Sequence, residues 1–419
     1  MPERARRRWS PALNRTIWIL AAGRLLSQVG TGFTLFYAPI FFVNQVGLSA
    51  TRVGAALGSG QISGIAGRFW GGSLSDAARW GRRRTLLLSA AVSALADVAL
   101  ALTDGFGLLL LGNLLMGLGV GLYWPATEAV VADLTAPAER NEAFAITRLA
   151  DSLGLSVGVV LGGGLIASAG AYRALFAIDG LSFLAFFAVI YWAVPETRRP
   201  QAAGGDNRWG QNWLAALRDR ALMVYAAANV LFTTYIAQIQ STLPLYLRNY
   251  VAGTEGEAGL SATTLGGAFT WHIAFAALVQ LPVVRALNRV SRVRALAVSL
   301  LLWALGFGLV WAAGQLAAGA LVAVVLALAV LALGIVTYTP SASALVADIA
   351  PEARRGVYLS VNSQCWAIGY LIGPPLGGWA LDRARYVTDG FWLVAAASTL
   401  AGMLILRALA RLLRRRLVE

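Results

Sequence analysis

Apolar positions in this chain recur in stretches of about 20 residues or more, each closed by a polar break, which is the spacing of helices that cross a bilayer. Twelve such runs are expected, at 15–43, 50–75, 84–103, 106–134, 142–168, 173–194, 221–247, 262–287, 295–314, 318–347, 356–381 and 391–410. Helices rather than a barrel follow, because the runs exceed a tilted strand in length and lack its two-residue alternation. The predicted class is an all-α integral membrane protein: six helices over 1–194, a linker over 195–220, and six helices with a basic tail over 221–419. Arg24 interrupts the first run, which then resumes to Val43, so the segment reads as a retained span and not as a cleaved leader.

Composition agrees, with 58% of the 419 residues hydrophobic and only 13% charged. One cysteine, Cys365, and one histidine, His272, provide neither an intrachain disulfide nor a Cys/His zinc site, and no metal or other cofactor is expected. Charge adds more. A net charge of +14 suggests nucleic acid, but the basic residues, all arginine, sort by connection: 26 lie in the tails and even-numbered connections. The odd-numbered connections hold five, Arg52, Arg173, Arg248, Arg383 and Arg385, and Arg24, Arg68 and Arg148 fall inside runs. The positive-inside rule then predicts a multi-pass protein of the plasma (inner) membrane with both termini cytoplasmic. Dispersal along one membrane face argues against a nucleic-acid partner; the expected surroundings are a lipid bilayer, around a monomer.

The stretch "GGSLSDAARWGRRRTLLL", Gly71 to Leu88, is the turn between the second and third runs. Anchoring arginines account for part of it, but not for the Gly-Gly pair or for Asp76. Its "GGSLSD" and "GRRR" resemble the loop signature of the major facilitator superfamily, G-x-L-x-D-R-x-G-R-R, with a longer spacer, "AARW". That resemblance implies two alike six-helix halves and a gate built from Gly72, Asp76, Gly81, Arg82, Arg83 and Asp133. In it, Asp76 caps the eleventh span and Arg82 or Arg83 pairs with Asp133. The chain repeats as the resemblance requires. Shifted by 215 residues, "GVGLYWPATEAVVADLTAPAER" from Gly119 meets "GIVTYTPSASALVADIAPEARR" from Gly334, and "GLSVGVVLGG" from Gly154 meets "GYLIGPPLGG" from Gly369. "FYAPIFF" parallels "TLPLYL" more loosely. The glycines Gly154, Gly158, Gly162 and Gly163 also resemble the antiporter signature of the drug-efflux branch, with Val159 in place of its proline. Their repeat copies are Gly369, Gly373, Gly377 and Gly378. Small residues at this spacing predict close helix packing in either case. In the linker, Trp209, Trp213, Leu214 and Leu217 share one face of a predicted amphipathic helix.

Ionisable and polar side chains inside spans cost free energy unless paired, so they mark candidate chemistry. Arg24, Arg68, Asp97, Glu128, Arg148, Asp151 and Asp179 are the charged candidates in the first half. Counting depth from the span ends brings Glu128 level with Arg148, and Arg148 and Asp151 are three apart on one helix face, so these three are the expected proton-coupling cluster. A buried packing network is the competing reading. Asp97 and Asp179 read as structural acids. Expected cavity residues are Arg24, Gln28, Tyr235, Gln238, His272, Tyr338, Asn362 and Trp366, a mostly uncharged set suited to a lipophilic small-molecule substrate. The expected function is therefore proton-gradient-driven efflux of small drug-like compounds by alternating access. The alternative is secondary transport of a polar metabolite such as a sugar or amino acid. An enzyme would need a convergent nucleophile, base or metal set, and the sequence has no such motif.

Overall fold

The computed structural model describes residues 14–77, 79–135, 140–197, 209–252, 259–287, 290–316, 318–351 and 355–416. Its helices are α1 (Arg15–Leu35), α2 (Ala38–Ile40), α3 (Ala50–Asp76), α4 (Gly81–Ala101), α5 (Phe106–Leu134), α6 (Arg140–Ala169), α7 (Tyr172–Ala193) and α8 (Trp209–Arg218). They continue as α9 (Arg220–Gln240), α10 (Thr242–Tyr250), α11 (Ala262–Leu287), α12 (Arg292–Gln315), α13 (Ala320–Ile349), α14 (Arg355–Leu381) and α15 (Arg385–Arg416). No strand occurs among the described residues.

Among the described residues, 10 helices are long and apolar enough to cross a membrane, against the twelve runs expected. The two outside this set, α3 and α14, have 27 residues each, so length is not what sets them apart. They are rich in Gly and Ser, and the α3 glycines pack closely on α14 and on α5. A carbon atom added at Gly54 would lie 3.0 Å from the Pro375 Cα, and one at Gly58 would lie 2.7 Å from the Leu371 carbonyl oxygen. Only glycine permits that approach.

Two expected spans are broken. The first is split into α1, α2 and a π-turn over Phe41–Gln45, and the seventh into α9 and α10. Pro39 sits at the start of α2 and Pro244 near the start of α10. A proline lacks the N–H of the helical ladder and crowds the preceding turn, so each helix restarts there. These are the two segments whose sequences parallel each other, and the breaks repeat as the sequence does.

Local capping follows the sequence. The Asn14 side chain accepts from the Thr16 N–H at 3.0 Å, and Asp219 accepts from Ala221 at 2.9 Å. In the linker helix α8, Trp213 packs against the core while Leu214 and Leu217 are exposed, and the Trp209 side chain lies outside the described residues. The repeat is also visible in packing. The Ser89 hydroxyl donates to the Gly119 carbonyl between α4 and α5, and Ser299 donates to Gly334 between α12 and α13, both at 2.8 Å.

Each long helix runs from the face bearing the arginine-rich turn at Gly81 to the opposite face, or back. At the opposite face the two sets of helices are joined. Phe36 stacks on Phe269 with ring centroids 4.3 Å apart, and the Asn44 and Asn249 amides exchange hydrogen bonds of 2.8 and 3.1 Å. The Asp382 carboxylate accepts from the Ala50 and Thr51 N–H groups at 2.8 and 2.7 Å, capping α3 from the end of α14. The apolar core divides accordingly. One cluster runs from Phe33–Phe42 into Phe269, Trp303 and Phe307 of the second set, whereas Ile17, Leu20, Leu86, Val130 and Ile190 form a separate cluster inside the first set.

Candidate functional site

Between the two sets, beneath the joined face, lies a cavity of about 280 Å³ lined from α1, α3, α4, α5 and α7 on one side and α9 and α14 on the other. Its apolar wall includes Phe42, Phe176 and Phe183, and its polar groups include Gln61, Arg68, Asp97, Asn113, Asp179, Gln240 and Tyr370. Asp97 and Asp179 come from adjacent helices, α4 and α7. A carbon atom added at Gly180 would lie 3.2 Å from the Asp97 Cβ, so the two acids are neighbours across a glycine contact. Asp179 accepts from the Thr34 hydroxyl at 2.9 Å. Asp97 is 1% exposed, and neither of its carboxylate oxygens has a hydrogen-bond partner among the described residues. The two acids, far apart in sequence and read there as structural, are brought together by their helices on the cavity wall.

None of the eight expected cavity residues lines this cavity. Arg24, 3% exposed, forms a two-pronged ion pair with Asp151, its Nε donating at 2.9 Å and its Nη2 to the second oxygen. Its guanidinium also lies over Tyr123 and Trp124, 5.5 and 5.6 Å from the ring centres. Gln28 packs beside Gly154. In the second set the expected residues hydrogen-bond helix to helix. Tyr235 meets Ser398 at 2.7 Å, and the Gln238 amide donates to the Gly373 carbonyl at 2.8 Å. His272 Nδ1 is 2.8 Å from the Leu328 carbonyl, and the Tyr338 hydroxyl donates to Asn229 at 2.5 Å. Asn362 accepts from Tyr225 and Asn229 at 2.6 and 2.9 Å, while Trp366 stacks on Tyr370. Buried polar groups in an apolar medium take the nearest partner, and here that partner is a neighbouring helix.

Of the expected coupling cluster, the structure describes the side chains of Glu128 and Asp151. Glu128 is exposed on α5, and the Arg148 side chain lies outside the described residues. Asp151 is held by Arg24, 127 residues away, and Glu128 acts on that same arginine electrostatically.

At the arginine-rich turn, Arg82 pairs with Asp133, as the loop resemblance implied. The repeat copy has a looser version: Arg292, at the start of α12, lies 3.9 Å from Asp348, the counterpart of Asp133. Arg83 donates to the Tyr191 carbonyl and covers that ring at 5.2 Å. Gly81 has φ +83°, and a side chain there would strike the Glu196 carboxylate. Glu196 accepts from the Arg82 and Arg83 N–H groups at 3.0 and 3.1 Å, so it caps α4 where the helix dipole favours an anion. The Asp76 side chain lies outside the described residues. At Gly72 an added carbon would meet nothing within 4 Å, whereas at its neighbour Gly71 it would lie 2.9 Å from the Leu122 backbone. Sequence reasoning missed Glu196, Asp382 and Asn229, none of which stands in a recognisable motif.

The eight packing glycines all sit in close contacts. Added carbons would lie 2.9 Å from the Gln28 Cβ at Gly154, 2.8 Å from the Gly32 Cα at Gly158, 3.3 Å from the Phe33 Cα at Gly162 and 3.3 Å from the Gly266 Cα at Gly163. Gly369, Gly373 and Gly377 face Thr233, Ala237 and Thr242 of α9 and α10, and Gly378 faces the Ala50 backbone.

The profile of the Major Facilitator Superfamily matches residues 20–256 and 254–417. The chain is similar to the multidrug resistance protein MdtH of Escherichia coli O157:H7, 26% identical over 392 residues that cover 91% of this chain and 90% of that protein. It is similar to MdtH of Salmonella paratyphi B at 25% identity over 391 residues, with 91% and 90% covered. Among solved structures it resembles the nucleoside transporter NupG, with a TM-score of 0.78, 13% identity and coverage of 94% of this chain and 99% of that one. It also resembles a peptide transporter POT in complex with sulfate, with a TM-score of 0.76, 16% identity and coverage of 95% and 94%. The chain thus belongs to the Major Facilitator Superfamily, as a multi-pass membrane transporter and not an enzyme.

Proposed function

We propose that the protein exports small, lipophilic, drug-like compounds in exchange for protons, its two sets of helices (1–194 and 221–419, joined by the linker) rocking about the central cavity. The observation that carries this reading is the cavity itself, walled by both sets and closed at one face by contacts between them. Similarity to MdtH, a multidrug resistance protein, supports the drug-like class. With 26 arginines on one side against five on the other, the arginine-rich face is the cytoplasmic side of the inner membrane and the joined face is external.

Proton coupling falls to Asp151 and Glu128, both of which act on Arg24. Asp151 is 17% exposed although its partner Arg24 is 3% exposed, so the acid is the more accessible side of the pair. A proton arriving at Asp151 removes the charge that holds Arg24, and the pair re-forms when the proton leaves. Buried ion pairs suit such switching because breaking one is costly and re-forming it recovers that cost. The Arg82–Asp133 pair and the glycine contacts serve the rocking motion, not the chemistry.

Counterflow in proteoliposomes with an imposed pH gradient tests this reading. Ethidium is expected to accumulate against its gradient and radiolabelled sugar is not; sugar accumulation without ethidium would replace export of drug-like compounds by transport of a polar metabolite.

A further inference from the structure

The cavity has unsatisfied groups of opposite charge at its two ends. Towards the joined face stands the Asp97–Asp179 pair, with the Asp97 oxygens unpartnered. Towards the arginine-rich face stands Arg68, whose Nη1 is buried and has no hydrogen-bond partner among the described residues. Neighbouring arginines do not serve the acids: Arg24 is taken by Asp151, and Arg173 donates to the Ala101 and Thr103 carbonyls at 2.9 and 3.1 Å. Asp97 is four residues from the end of α4, and Arg68 is 18 residues into α3 from that same face. Helical side chains lean towards their own N-terminus, and α3 and α4 run in opposite directions, so the two charges lean towards each other. At a rise of about 1.5 Å per residue, and after allowing for that lean, the two ends are on the order of 10–15 Å apart. That is the span of a two- or three-ring compound with a hydrogen bond at each end. By the same count Phe183, eleven residues into α7, lies between the two ends, while Phe42 and Phe176 wall the acid end.

An unpaired ionisable group in a membrane cavity is expensive to maintain and normally has a counterpart. We infer that the cavity takes amphoteric aromatic compounds, a basic nitrogen donating to Asp97 and Asp179 and an acid group accepting from Arg68, whose planar fork matches a carboxylate. The inference rests on the export reading and narrows its substrate class.

Three dyes of one frame separate the charges: rhodamine 110 carries basic nitrogens and a carboxylate, rhodamine 123 is its methyl ester, and fluorescein keeps the carboxylate without the nitrogens. Fluorescence polarisation with the full chain in lipid nanodiscs is expected to show rhodamine 110 binding at least tenfold more tightly than either of the others. Arg68→Gln should bring rhodamine 110 to the level of rhodamine 123 and leave rhodamine 123 unchanged. Asp97→Asn should weaken both rhodamines and spare fluorescein. Equal binding of rhodamines 110 and 123 to the unaltered protein overturns the inference, as does an Arg68→Gln loss shared equally by both; if the variants do not stay monodisperse, the ranking on the unaltered protein decides alone. The predicted ranking without pH-driven uptake sinks the export reading and leaves the site standing. Uptake of rhodamine 123 with no preference for rhodamine 110 does the reverse.

Discussion

Asp382 offers the sharpest test of how the joined face is held. Its carboxylate accepts two backbone N–H groups at the start of α3, and the contact exists only while the two sets of helices meet there. Ser49 already accepts from the Arg52 N–H at 3.3 Å, so α3 itself stays capped when Asp382 is changed, and the effect falls on the closed state. Asp382→Asn keeps an acceptor but loses the charge facing the helix dipole, a loss of about 0.5–1 kcal/mol. Asp382→Ala also strands the Ala50 N–H, on a residue only 4% exposed, and costs about 1–2 kcal/mol in total. The ratio of open to closed populations at that face should rise about 2- to 5-fold for the first and about 5- to 30-fold for the second. Because Cys365 is the only cysteine, replacing it by alanine permits spin labels at Asp104 and Leu316, on the same face of the two sets. Pulsed electron paramagnetic resonance distances between them should gain a longer component in the order unaltered, asparagine, alanine. Identical distributions in all three proteins would refute the reasoning, and so would a larger shift for asparagine than for alanine.

Gly158→Ala is expected to lower the melting temperature in a nanodisc unfolding assay, since the added methyl would sit 2.8 Å from the Gly32 Cα and overpacking costs about 1–3 kcal/mol; Gly164→Ala, which meets nothing within 4 Å, is the silent control. Asp151→Asn should destabilise by about 3–5 kcal/mol because it leaves Arg24 buried without its carboxylate, and adding Arg24→Gln should restore part of that loss in the same assay. With Glu128→Gln it should abolish pH-driven uptake while energy-independent exchange persists. Gly81→Ala should reduce both stability and transport, through its positive φ and its collision with Glu196, whereas Gly72→Ala should be neutral in both.

Much of this architecture was legible because bilayer crossing imposes a length and an apolarity that single residues cannot hide. The departures have particular causes. Proline breaks at Pro39 and Pro244 leave hydropathy unchanged, so each pair of segments reads as one span. The Arg24–Asp151 pair was within reach of depth counting. Arg24 lies nine residues into α1 and Asp151 eleven into α6, both starting from the arginine-rich face, so the two are level to about 3 Å. The same count brings Glu128 level with Arg148, whose side chain lies outside the described residues; depth fixes height but not the direction a helix faces. Asp97 and Asp179 were hidden for that reason too: their rotation about α4 and α7 is set by the glycine contact at Gly180, and no periodicity reports it. Glu196 follows the last turn of α7 by three residues, and nothing in the pattern says that the chain there turns back to cap α4.

Proton movement in response to substrate tests exchange most directly. Proteoliposomes loaded with a pH-sensitive dye, given rhodamine 123 on one side and no pre-set pH difference, should move protons in the direction opposite to the dye's flux. The signal should be absent in the Glu128→Gln, Asp151→Asn double variant, which still equilibrates the dye. Rhodamine entry with no change of internal pH in the unaltered protein, or an unchanged proton signal in the double variant, would contradict the account.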